Sequence, residues 1–152
     1  MKKNILFFGI IIIVIILSIL LIDINLDGGI KDDEQIGTIS LVIDVQTLIG
    51  KNDNIPNDGI IYTNDVAIYE GDTAFTILQR VTEKEKIAFD YTGLFDSRYV
   101  RGIAGIYEFD YGATSGWLFS VNGEKPNESS ANYILEDGDK VCWLYSCTKG
   151  DS

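Results

Sequence analysis

Apolar positions along the chain fall into two regimes, one unbroken run near the start and short alternating stretches after it. From Ile5 to Ile22 no side chain ionises. At ~1.5 Å per residue a helix over that run extends to roughly 27 Å, close to the ~30 Å hydrocarbon layer of a bilayer. The run predicts a membrane-crossing helix. Lys2 and Lys3 precede it, while Asp23, Asp27, Asp32, Asp33 and Glu34 follow. The positive-inside bias then leaves the N-terminus in the cytoplasm and the rest of the chain outside. No small-residue cleavage pattern flanks Ile22, so an uncleaved signal anchor is favoured over a cleaved signal peptide. The expected organisation is an anchor over 1–22, a polar linker over 23–37 and a single domain over 38–152.

Beyond the linker, β-branched residues alternate from Thr38 to Val45, with Leu48 and Ile49 as an extension, and predict a first strand. Lys51 to Gly59 is rich in turn formers. Ile60 to Tyr69 reads as extended chain, two short strands broken near Asn64 and Asp65. Asp72 or Thr73 then caps a helix whose apolar residues Ala74, Phe75, Ile77, Leu78 and Val81 recur along one face. Further strands are expected at Ile87–Tyr91, Tyr99–Tyr107, Gly116–Val121, Tyr133–Leu135 and Lys140–Tyr145. One helix among many strands predicts an α+β fold, a mostly antiparallel sheet with one helix packed on it.

Charge narrows the function. The chain holds 12 basic and 23 acidic residues, a net charge of −11. Nucleic acid and anionic headgroups are repelled by that sign, and acidity keeps an exported domain soluble. Histidine is absent, which removes His-based triads, most zinc sites and the commonest general base at neutral pH. Cys142 and Cys147 stand five apart on a predicted strand, roughly 16 Å if fully extended, whereas a disulfide needs Cα atoms within ~7 Å. Two unpaired thiols or an intermolecular bridge are expected unless the chain turns near Ser146. Asp53, Asp58 and the neighbouring Asn52, Asn54 and Asn57 offer oxygen ligands for calcium, but their spacing matches no EF-hand loop and suits turns equally. Asn127-Glu128-Ser129 is a formal glycosylation sequon. Carboxylate pairs for glycoside hydrolysis arise by chance in so acidic a chain, and no nucleophile motif accompanies them.

The densest patterning is SGWLFSVNG from Ser115 to Gly123, followed by YILEDGD from Tyr133 and KVCWLY from Lys140. Asn122-Gly123 is the tight-turn dipeptide of a hairpin, because both central residues of a type I′ turn need positive φ. Trp117 and Phe119 share one face of their strand, as do Trp143 and Tyr145. They are core if that face meets the helix and an aromatic platform if it faces out. Together with the IPNDG loop, the VAIYEGDTAFTILQRV join and the YVRGIAGIYEFDYG stretch, these motifs resemble the transcobalamin C-terminal-like family of bacterial exported proteins, a domain of unknown function numbered 4430. The resemblance covers Ile39 to Tyr145. It implies ligand binding, since in vitamin B12 carriers the similar domain closes over the corrinoid against a larger helical domain. Half of such a clamp needs a second protein, and without histidine no imidazole can ligate cobalt.

Two functions follow as expectations. The first is a membrane-anchored extracytoplasmic binding module, with no enzymatic activity and no resident cofactor or metal, for a corrinoid or another small molecule together with a membrane or envelope protein. Trp117, Phe119 and Tyr145 would stack on the ligand and Asn122 would orient it. The second is a structural or adhesive envelope module in which the same residues pack in the core. A hydrolase is a distant third.

Overall fold

The computed structural model describes residues 34–148. The expected anchor and most of the linker lie outside them, and among the described residues no helix is long and apolar enough to cross a membrane. The elements are strands β1 (Gln35–Asp44), β2 (Ile60–Tyr69), β3 (Phe89–Thr92), β4 (Tyr99–Ile103), β5 (Ile106–Tyr107), β6 (Gly116–Val121) and β7 (Lys140–Ser146), with one α-helix, α1 (Ala74–Glu85), between β2 and β3. β1 starts within the stretch read as linker. Two short 3-10 turns, Gln46–Leu48 and Phe95–Ser97, complete the set.

The strands form a four-stranded sheet ordered β2-β1-β7-β6 and a three-stranded sheet ordered β3-β4-β5. β1 and β7 run parallel, and every other pairing is antiparallel. Alternation decides what is buried. In β1, Ile39, Leu41 and Ile43 turn to one face, and the register places Val141, Trp143 and Tyr145 of β7 and Trp117 and Val121 of β6 on that same face. These side chains, with Phe75, Ile77, Leu78 and Val81 of α1 and Val100, Ile103 and Ile106 of the small sheet, make one hydrophobic core. The helix therefore packs on the sheet through the stripe its sequence predicts.

Local departures from the sequence reading have physical causes. β2 is one continuous strand, because β1 pairs with it through Leu41 opposite Asn64 and Ser40 opposite Asp65. Their polar side chains are tolerated at a sheet edge. Tyr99–Tyr107 is a hairpin, turned at Ala104 (φ 54°) and Gly105 (φ 77°). Tyr133–Leu135 makes only an isolated bridge between Ile134 and Thr73. Its backbone serves the start of α1 instead: the Tyr133 carbonyl accepts from Ala74 N–H at 3.1 Å, and Leu135 N–H donates to the Asp72 carbonyl at 2.9 Å. Helix N-termini need such acceptors. Thr73 is the N-cap, its hydroxyl accepting from Thr76 N–H at 3.2 Å. Asp72 instead takes the Arg80 guanidinium at 3.0 and 2.8 Å.

Candidate functional site

β6 and β7 carry the aromatic residues singled out in the sequence. Their register sets Trp117 opposite Tyr145 and Phe119 opposite Trp143, so all four side chains share the core-facing side of the sheet. Trp117 and Tyr145 meet edge to face at 5.3 Å, and Phe119 stacks on Trp143 at 5.4 Å. Tyr145 is fully buried at 0% exposure and Trp117 nearly so at 4%, while Phe119 is half-buried. The Tyr145 hydroxyl donates to the Tyr107 carbonyl at 2.7 Å and lies 2.9 Å from Ser115 Oγ. Burial, with the Asp110 charge adding to it, pushes that phenol above its ordinary pKa.

Asn122 is exposed, yet its amide is occupied. Nδ2 donates to Asp139 Oδ1 at 2.8 Å, and Oδ1 accepts from Lys140 N–H at 3.0 Å. With φ of 55° at Asn122 and 82° at Gly123, the expected turn is present. The Asn122 side chain clasps it to the Asp137-Gly138-Asp139 turn at the same end of the sheet.

An open trough runs along the outer side of β6. It consists of two hollows of about 450 and 240 Å³ that share Tyr99, Trp117, Leu118 and Lys125. Phe109 lines the first; Phe119 and Trp143 line the second. Of the four residues expected to form a site, Trp117 and Phe119 therefore reach the trough, and Asn122 and Tyr145 do not. The residues that sequence reasoning missed are Tyr99, Phe109, Leu118 and Lys125. They come from three separate parts of the chain, and no spacing rule joins them.

Phe109 combines exposure with a left-handed backbone, as does Phe95 (80% exposed, φ 50°), which does not line the trough. Phe109 is 62% exposed, and its φ of 70° is a conformation that a bulky residue adopts only under constraint. Its N–H donates to the Ser115 carbonyl at 3.0 Å, which ties the strained segment to the start of β6. Tyr99, 48% exposed, donates its hydroxyl to Glu108 Oε2 at 2.9 Å. Burial and then the Glu108 carboxylate hold that phenol above its usual pKa. Beneath the second hollow, Trp143 Nε1 is buried without a hydrogen-bond partner among the described residues. Trp117 Nε1, by contrast, donates to the Ile106 carbonyl at 2.8 Å.

Nothing else among the described residues gathers comparable chemistry. No group of three or more His, Cys, Asp or Glu side chains is arranged for a metal. In the loop considered for calcium, Asn52 Oδ1 accepts from Asn54 N–H at 2.9 Å and Asp58 Oδ1 from Ile60 N–H at 3.0 Å, the turn role. Cys142 is a free thiol on β7, so it is not bridged to Cys147. Burial and the Asp44 charge push its pKa up.

No curated protein matches the chain. Among solved structures, haptocorrin in complex with Cbi is similar at a TM-score of 0.51 and 17% identity, over 73% of this chain. The match spans 25% of the haptocorrin chain, and the likeness is one of fold. A candidate metal-binding protein from Ruminococcus gnavus ATCC 29149 aligns at a TM-score of 0.45 and 16% identity, over 72% of this chain and 96% of its own. The family model described as domain of unknown function (DUF4430) matches residues 71–146. With the haptocorrin likeness, that match bears out the resemblance read from the motifs, and the chain belongs to the DUF4430 family.

Proposed function

We propose that this chain is a binding module without catalytic activity, held outside the cell by its N-terminal anchor, which takes a flat small molecule such as a corrinoid into the trough beside β6 together with a partner protein. The observation that carries the reading is the first hollow beside β6, lined by the exposed Phe109 with its positive φ and by the half-exposed Tyr99. Phe95 shares that exposure and positive φ away from the trough, so what marks Phe109 is its place in the first hollow, where a ligand can stack on its ring. The trough is open to solvent, so a ligand there has one side uncovered. That fits half of a clamp. A half-site binds weakly, and a membrane tether compensates by raising the effective concentration toward neighbours in the same bilayer.

The test is titration of the purified chain with cobinamide, followed by tryptophan quenching and calorimetry. A Kd on the order of 1 μM, about 8 kcal/mol of binding, is expected, weakened about tenfold by Phe109→Ala and by Tyr99→Ala. Both residues are exposed, so their loss leaves the core intact. Absence of saturable binding, or binding indifferent to both substitutions, would remove the small-molecule reading. The adhesive alternative, which the burial of Trp117 and Tyr145 favours, would then stand.

A further inference from the structure

The two edges of the four-stranded sheet, β2 and β6, are finished differently. On β2, side chains take part of the outward backbone groups, while the N–H and C=O of Thr63 have no hydrogen-bond partner among the described residues. Asp65 N–H donates to Asn64 Oδ1 at 2.9 Å, and the Ala67 carbonyl accepts from Arg80 Nη2 at 2.7 Å. Asp72 Oδ2 takes Tyr69 N–H at 2.9 Å. On β6, Asn122 N–H donates to the Lys140 carbonyl at 2.9 Å. The same register sets Ser120 against Cys142 and Leu118 against Leu144. Alternate residues of an antiparallel ladder turn both backbone groups to the partner strand. Leu118 and Ser120 therefore face β7, while Trp117, Phe119 and Val121 face away. Val121 closes on Glu124 through bonds of 2.9 and 3.0 Å. The N–H and C=O of Trp117 and of Phe119 have no hydrogen-bond partner among the described residues, and they border the trough.

A strand edge with such groups recognises another extended backbone. We propose that the partner protein docks by laying an extended segment into the trough, where it pairs with β6 as a further strand and directs an acidic side chain at Lys125. The proposal rests on the trough being the binding site and adds the chemistry of the partner. Trp117 and Phe119 are two residues apart, about 7 Å along the strand, so a short segment that spans them makes four backbone hydrogen bonds. Arg98 and Glu128, of opposite charge, line the second hollow, and Lys125 lines both, so Lys125 is the cation common to the trough on a chain whose net charge is −11. That charge also counts against a second copy of this chain as the occupant, because the two copies repel.

The probe is the blocked heptapeptide Ac-TVEVTVT-amide, added to the full chain in detergent micelles, with backbone amide exchange read residue by residue by NMR. Saturating peptide should slow exchange at Trp117 and Phe119 at least tenfold, leaving Leu118 and Ser120 as they were. The same peptide N-methylated at alternate residues keeps its side chains but cannot pair, and should give no slowing. Lys125→Glu, at an exposed position, should weaken the unmethylated peptide about tenfold. The proposal is overturned by no slowing at Trp117 and Phe119, by equal action of the methylated peptide, or by concentration-dependent protection of these amides without peptide, which would assign the edge to a second copy. Parallel titration with cobinamide separates the two levels. Cobinamide binding without strand pairing sinks this proposal alone, and failure of both ligands sinks the binding reading with it.

Discussion

The two tryptophans offer a matched test of how the core beneath the trough is held. Both are nearly buried, at 4% exposure for Trp117 and 2% for Trp143, and they differ in one bond. Trp117 Nε1 donates to the Ile106 carbonyl at 2.8 Å, whereas Trp143 Nε1 has no acceptor among the described residues. Substitution by phenylalanine removes a similar volume from each. Transfer of roughly 40–50 Å² of ring at ~25 cal/mol per Å² gives about 1 kcal/mol, and the cavity left behind adds about 1 kcal/mol more. Trp117→Phe also takes a donor from Ile106, worth about 1–2 kcal/mol, for a total of about 3–4 kcal/mol. Trp143→Phe instead relieves a buried unpaired N–H that costs about 1–3 kcal/mol, so the two effects nearly cancel. Urea denaturation of the purified variants, followed by far-UV circular dichroism, should place them about 3 kcal/mol apart, on the order of 10 °C in Tm for a domain of this size. If Trp143→Phe loses as much stability as Trp117→Phe, Nε1 of Trp143 has a partner in solution and the accounting is wrong.

Three further outcomes are expected. Asp72→Ala should cost about 2–3 kcal/mol in the same denaturation assay, because it strips acceptors from Tyr69 N–H, the Thr76 hydroxyl and the partly solvated Arg80 fork together. Raised phenol pKa values at Tyr99 and Tyr145 make the folded state prefer neutral tyrosine. Their contribution is therefore fully present below about pH 10, the unfolded pKa, and is lost as pH rises through the folded values. An alkaline denaturation series should show stability falling from about pH 10 upward, and Tyr145→Phe should flatten that fall while lowering stability at pH 7 by about 1–2 kcal/mol through the lost hydroxyl bond. Cys142 should alkylate with iodoacetamide several-fold more slowly at pH 8 than a free cysteine, and Asp44→Asn should speed it, as peptide mass mapping would show.

What was legible in the sequence was whatever a local rule controls. The capped amphipathic helix, the strand Gly116–Val121 and the Asn122-Gly123 turn each depend on a few neighbouring residues, and each is present where its pattern lies. The hairpin at Ala104-Gly105 was hidden because alanine carries no signal for the positive φ it adopts there. Tyr133–Leu135 has strand-like composition, but the unpaired N–H groups at the start of α1 claim its backbone, a demand set by tertiary contact. The candidate site divides in the same way. Trp117 and Phe119 were found because alternation along one strand places them. Tyr99, Phe109 and Lys125 reach the trough only through the docking of the small sheet and the long connection after β6.

The burial of the predicted aromatics changes where binding chemistry can reside. Trp117, Trp143 and Tyr145 pack beneath β6 and β7 and brace the edge strand, so on the proposed reading they would serve a ligand through the rigidity of that edge more than through contact. A rigid edge is what strand pairing needs, since its backbone groups must stand in register before the incoming segment arrives. The contrast with β2 supports this view. Arg80, Asn64 and Asp72 side chains cover part of that edge, one of the ways an edge not used for binding is blunted. The open edge at Trp117 and Phe119 is an aggregation hazard, which acidity lowers by repelling like copies, while on the proposed reading Lys125 would attract an acidic partner segment. If the proposed pairing holds, edge geometry and charge select in the same direction, for a different protein over a second copy of this chain.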